Sequence, residues 1–137
     1  MAYLLDAGFL FALIDENDVH HANCVETLKR IHHQIILPVP AITETAYLVK
    51  RECGVEALAI FLESMSDTDF SFETPISEDY LRTAEIIRKY NDANIDFVDA
   101  CIVAIAERLN ITKILTIDRR HFGIFKPKHC EAFEIFP

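Results

Sequence analysis

Tyr3-Leu4-Leu5-Asp6-Ala7-Gly8 is a short apolar run that stops at a carboxylate, and Gly8 to Leu13 continues it with helical character. Near the other end of the sequence, Lys113 to Ile117 is a second apolar run, and it also stops at an aspartate, Asp118. Runs of this length with such sharp ends predict buried strands. Helical spacing fills the interval between them. It runs from His20 to about His33, from Ile42 to about Arg51, from Val55 to about Met65, and from Glu78 to Tyr90 with Ser77 at the cap. A last helix opens at Asp96 and carries an apolar stripe of Ile102, Ile105, Ala106 and Leu109. Ile35-Ile36-Leu37, closed by Pro38 and Pro40, predicts a further strand, as do Phe70-Ser71-Phe72 and Ala132 to Phe136. Strands separated by helices imply a parallel, doubly wound α/β sandwich.

Composition sets the limits on function. A chain of 137 residues that is 51% hydrophobic and 26% charged is one folded domain, residues 1–137, and is not disordered. No apolar run approaches the roughly 18 residues of a membrane span. The start has no basic stretch and meets Asp6 early, so a secretory signal is not expected and the cytoplasm is the expected compartment. The four cysteines, Cys24, Cys53, Cys101 and Cys130, form no Cys-x-x-Cys pair, which fits buried reduced thiols better than zinc or redox chemistry. The paired histidines, His20-His21 and His32-His33, lack a third ligand at zinc-site spacing and read as surface or helix-end residues. A net charge of −9 argues against nucleic-acid binding by bulk electrostatics. The distribution is uneven, however. Arg108, Lys113, Arg119, Arg120, Lys126 and Lys128 form a basic band around a single acid, Asp118, though such a band is equally an ordinary solvated face.

The chemistry rests on carboxylates. In a doubly wound sheet, ligands collect beyond the carboxyl ends of the strands, where Asp6 and Asp118 are expected. Glu44 lies just inside a helix after Pro38-Val39-Pro40-Ala41-Ile42-Thr43, where a first-turn acid also suits the helix dipole. Asp96 and Asp99 are three apart, so they share a helix face; the same pair also satisfies the pattern of an N-cap and its capping box. Asp99 adjoins the apolar Ala100-Cys101-Ile102-Val103, where crowded carboxylates are costly without a cation. There is no Ser-His-Asp constellation, Gly-rich phosphate loop or His-Glu-x-x-His motif. Oxygen ligands of this kind suit Mg²⁺ or Mn²⁺, and metal-assisted phosphodiester hydrolysis is the reaction class they serve best.

Five stretches carry a family resemblance: Leu4-Leu5-Asp6-Ala7-Gly8, Asp18-Val19-His20-His21-Ala22, Pro40-Ala41-Ile42-Thr43-Glu44, Asp96-Phe97-Val98-Asp99-Ala100, and Leu115-Thr116-Ile117-Asp118-Arg119-Arg120-His121-Phe122. In this order the chain resembles PIN domains, and among them the VapC-like toxins of prokaryotic toxin–antitoxin pairs. The resemblance implies a three-layer α/β/α sandwich around a four- to five-stranded parallel sheet, and a Mg²⁺- or Mn²⁺-dependent endoribonuclease. It places Asp6, Glu44, Asp99 and Asp118 in the family's acidic quartet, with Asp96 auxiliary and the Thr116 hydroxyl near the metal. It further implies an RNA substrate, a cognate antitoxin and a homodimer, with Arg119, Arg120 and the more distant Lys126 and Lys128 facing RNA phosphates. The chain departs from the family at Ala7-Gly8, where Thr or Ser commonly follows the first aspartate.

Competing readings are fewer. A receiver-like phosphoacceptor module needs an acidic pair after its first strand, and a haloacid-dehalogenase-type phosphatase needs an aspartate at position 8, which is Gly. A housekeeping RNA-processing nuclease of the same fold, and a PIN-like module that binds without cleaving, stay open at this level.

Overall fold

The computed structural model describes residues 1–137. Five strands form one parallel sheet: β1 (Ala2–Leu5), β2 (Gln34–Pro38), β3 (Ser71–Glu73), β4 (Lys113–Leu115) and β5 (Glu134–Phe136). Their spatial order is β3-β2-β1-β4-β5. The chain builds outward from β1 in one direction, then returns to β1's other flank with β4. The change of direction opens a crevice at the carboxyl ends of β1 and β4, where doubly wound sheets bind ligands.

Side chains alternate along each strand, and both faces are covered. Leu4, Ile36 and Ile114 point into a core shared with α5 (Ser77–Lys89), α6 (Phe97–Leu109) and the phenylalanines at 122, 125 and 133. Leu5, Ile35, Leu37 and Leu115 point the opposite way. They meet α1 (Ala7–Ile14), α2 (His21–Lys29), α3 (Val39–Cys53) and α4 (Val55–Met65) through residues such as Phe9, Cys24, Val49 and Phe61. Two cores on one sheet make the three-layer sandwich, and explain why the strands read as continuous apolar runs.

Several boundaries differ from the sequence expectation. Helix α2 ends at Lys29, not His33, because Arg30 and Ile31 close it with tight backbone turns onto Thr27 and Leu28. Helix α3 starts at Val39, not Ile42: Pro40 falls in its first turn, where a missing N–H costs nothing. Ser77 makes no cap bond; the Asp79 carboxylate instead accepts the Ile76 N–H at 2.9 Å. The expected strand through Ile117 stops at Leu115, and a short α7 (Arg119–Ile124) follows it. Cys24 and Cys101 are buried free thiols as expected, whereas Cys130 is half-buried and Cys53, at the end of α3, is exposed. No helix is long and apolar enough to cross a membrane.

Candidate functional site

Asp6 leaves β1 directly into α1. Its N–H is tied to the Leu115 carbonyl at 3.0 Å, and its carboxylate caps α1 by accepting the Phe9 N–H at 2.8 Å. The fully buried Thr116 hydroxyl donates to the other carboxylate oxygen of Asp6, and accepts the Asp118 N–H at 2.9 Å. One side chain thereby links the first aspartate to the last. Asp118 caps α7, accepting the His121 N–H at 2.9 Å. Gly8 packs closely here: a Cβ at this position would stand 3.3 Å from Ile117 Cγ1, so the Ile117 side chain would have to shift slightly to admit one. The departure at Ala7-Gly8 thus coincides with close packing beside the site.

Asp96 is the N-cap of α6 and accepts the Asp99 N–H at 2.9 Å. That is half of the capping box; the Asp99 carboxylate does not reach back and is free to face the crevice. Glu44 is the sixth residue of α3, beyond its first turn, so the expected helix-dipole role does not apply. The structure brings all five acids, Asp6, Glu44, Asp96, Asp99 and Asp118, into one pocket of about 410 Å³, with Ala7, Gly8, Leu48 and Ile117 among its other walls.

Burial, and then crowding, disfavours the charged form of these acids. Burial raises the Asp6 carboxyl to about 7, against the stabilising bonds from Thr116 and Phe9, with Asp118 and Glu44 adding to the rise. Asp99 is raised to about 8, first by burial and then by Asp96, Asp6, Asp118 and Glu44. Glu44 is raised by burial and by Asp96. A divalent ion would supply the charge that lets such crowded, buried carboxyls ionise together.

The sequence places His121 in a family stretch but gives it no role, and the structure brings it to the site. Its Nδ1 lies 2.9 Å from Asp118 Oδ2 and 3.4 Å from Asp99 Oδ2, and the three residues offer donor atoms all within 4.8 Å of one another. The available signal was its spacing, three residues after Asp118 at a helix start, which puts both on one face. The expected phosphate contacts lie elsewhere. Arg119 turns its guanidinium to the Ile135 and Pro137 carbonyls; Arg120, Lys126 and Lys128 are exposed and do not line the pocket. Two members of the basic band are neutralised, Arg108 by Asp79 and Glu73, and Lys113 by Glu134.

A sequence model of the PIN domain matches residues 3–125. The chain belongs to the PIN-domain family. The PIN assignment agrees with the sheet order and with the acids at its switch point, and relatives extend it over the whole chain. Ribonuclease VapC26 of Mycobacterium tuberculosis is 28% identical over 134 residues, which span 98% of this chain and 99% of that protein. The fold also matches the crystal structure of M. tuberculosis VapC20, a toxin that cleaves the sarcin-ricin loop, with a TM-score of 0.76 at 20% identity over 82% of this chain and 86% of that one. A toxin–antitoxin complex from Klebsiella pneumoniae matches with a TM-score of 0.65 at 16% identity, covering 90% and 92% of the two chains. As a PIN domain, this protein carries its acids on four separate segments that only the fold unites.

Proposed function

We propose that this PIN domain is a divalent-metal-dependent endoribonuclease, the toxin of a toxin–antitoxin pair. One observation carries the proposal: carboxylates from the N-caps of α1 and α7 and from α3 and α6 converge on a pocket where burial, and then mutual repulsion, raises two of them to about 7 and about 8. Asp6, Glu44 and Asp99 would hold the ion, Asp118 would complete the set and Asp96 would bear on it from the α6 cap. A bound Mg²⁺ or Mn²⁺ supplies a Lewis acid that neutralises phosphodiester charge and lowers the pKa of water. The protein's own contribution is orientation. Thr116 and the Phe9 N–H lock the Asp6 carboxylate, and the α6 cap fixes the base of Asp99. Arg120, Lys126 and Lys128 supply exposed positive charge after β4 for phosphates that flank the scissile one.

The full-length kinship with a VapC ribonuclease supports RNA as substrate, and the shared fold of the toxin–antitoxin complex supports an antitoxin partner. A homodimer is supported by an apolar groove of about 520 Å³ beside the acidic pocket, where Tyr47, Tyr80 and Phe97 are all exposed. The test is direct. Purified protein should cleave RNA with Mg²⁺ or Mn²⁺ and stop on adding EDTA. Asp6→Asn and Asp99→Asn should each lower the rate by roughly a hundredfold or more while the circular dichroism is unchanged. Full activity in both variants defeats the assignment.

A further inference from the structure

His121 stands among the acids without a part in the function above. We propose that His121 is a nitrogen ligand of this metal centre, through Nδ1, and that it moves the site's preference from Mg²⁺ toward Mn²⁺. The inference rests on the metal-centre reading and adds to it a ligand atom and a metal selectivity.

Three observations carry it. The first is spacing. Octahedral donors at about 2.1 Å from an ion are about 3.0 Å apart along each edge. His121 Nδ1 is 2.9 Å from Asp118 Oδ2 and 3.4 Å from Asp99 Oδ2, close to two such edges. The second is the state of that nitrogen. It is fully buried and, despite lying near two carboxylates, has no well-aligned hydrogen bond. A buried ring nitrogen normally has a partner, and an ion between the three groups supplies one.

The third is rigidity. The His121 N–H is fixed by the Asp118 carboxylate, and the next residue, Phe122, is buried against Phe125 and Phe133. The backbone of the turn that carries the imidazole is therefore anchored on both sides, which places the ring at the pocket wall. Ligand chemistry then sets the selectivity. Carboxylates serve Mg²⁺ and Mn²⁺ alike, but an imidazole nitrogen favours a first-row transition ion over the harder Mg²⁺.

The alternative is that His121 merely pairs with Asp118 and Asp99 and binds no ion. Pulsed EPR of the full chain loaded with Mn²⁺ separates the two. Wild-type protein should show ¹⁴N modulation from a directly bound nitrogen, and His121→Ala should lose it, with every other histidine still present. Mn²⁺ affinity, read from the free-ion EPR signal, should fall roughly tenfold in the variant. Mg²⁺ affinity, read by competition, should fall less than about threefold. Absence of ¹⁴N modulation in the wild type, its persistence in His121→Ala, or equal loss for both ions overturns the proposal. If Mn²⁺ binds without nitrogen coupling and RNA is still cleaved, only the role of His121 fails. If Mn²⁺ does not bind at all, the metal centre fails with it.

Discussion

Thr116 shows how much a single hydroxyl does in this site. It has no exposure, donates to Asp6 and accepts from Asp118, so it joins the two strand-end aspartates across the switch point. Thr116→Val keeps the shape and removes both bonds. The Asp118 N–H then loses its acceptor at a cost of about 1–3 kcal/mol. The Asp6 carboxyl, already at about 7, loses one of the two bonds that hold it down and moves higher. We expect the variant to unfold at lower denaturant concentration and to bind Mn²⁺ some ten- to a hundredfold more weakly, while Thr116→Ser retains most of both properties. Equal metal affinity in Thr116→Val and wild type would show that the hydroxyl does not orient Asp6. The sequence marked this residue through its place two before Asp118. It included His121 in the same stretch without a role, because that ring's neighbour Asp99 lies far away along the chain and is adjacent only after folding.

At the level of elements, α6 matters most, since its two ends do different work. Its first turn carries Asp99 into the pocket; near its last turn Arg108 grips α5 and β3. The Arg108 guanidinium meets both Asp79 oxygens, at 3.1 and 3.0 Å, and Glu73 at 2.8 Å, while Asp79 is only 2% exposed. Removing one partner of a buried pair leaves an uncompensated charge, so Arg108→Met should cost about 3 kcal/mol in chemical denaturation. Adding Asp79→Leu should recover only part of that loss, because the same carboxylate also caps α5 by accepting the Ile76 N–H. Metal affinity should change little in either variant, because Asp99 sits at the opposite end of the helix; a large drop would mean that α6 transmits strain along its length. The same helix explains what could be read in advance. Its start was legible because the Asp96 cap is a local contact three residues long. The task of Arg108 was not, since its partners come from β3 and α5, and the sequence offered only a basic band that suggested RNA. Local signals also failed at α3, whose start was placed late because Pro40 usually ends a helix but is harmless within a first turn. The end of β1 at Asp6 was readable because burial on both faces leaves an apolar run that only a carboxylate interrupts, whereas β4 stops at Leu115, before the run expected to reach Asp118.

For the whole molecule, the acidic pocket ties folding to pH and to metal. In the metal-free protein Asp6 titrates near 7 and Asp99 near 8, against 3.8 for either in an unfolded chain. Between about pH 4 and pH 8 the folded state therefore holds protons that the unfolded state has released. Stability is complete below the unfolded pKa and falls as pH rises through the folded values, with each such proton worth about 1.4 kcal/mol per pH unit. Metal-free protein should lose several degrees of Tm between pH 5 and pH 8.5, and the fall should level off above about pH 9. A divalent ion needs the same carboxyls ionised, so its binding strengthens with pH as proton competition fades. Saturating Mn²⁺ should then raise Tm more at pH 8 than at pH 6, which flattens the profile. Asp99→Asn removes the more strongly raised carboxyl, so its metal-free Tm should depend less on pH and exceed that of wild type at pH 8. Differential scanning calorimetry over this range, with EDTA or Mn²⁺, measures every term. A metal-free Tm that stays constant from pH 5 to pH 8.5 would mean that burial and mutual repulsion do not raise these carboxyls in the folded chain, and the electrostatic basis of the centre would be lost.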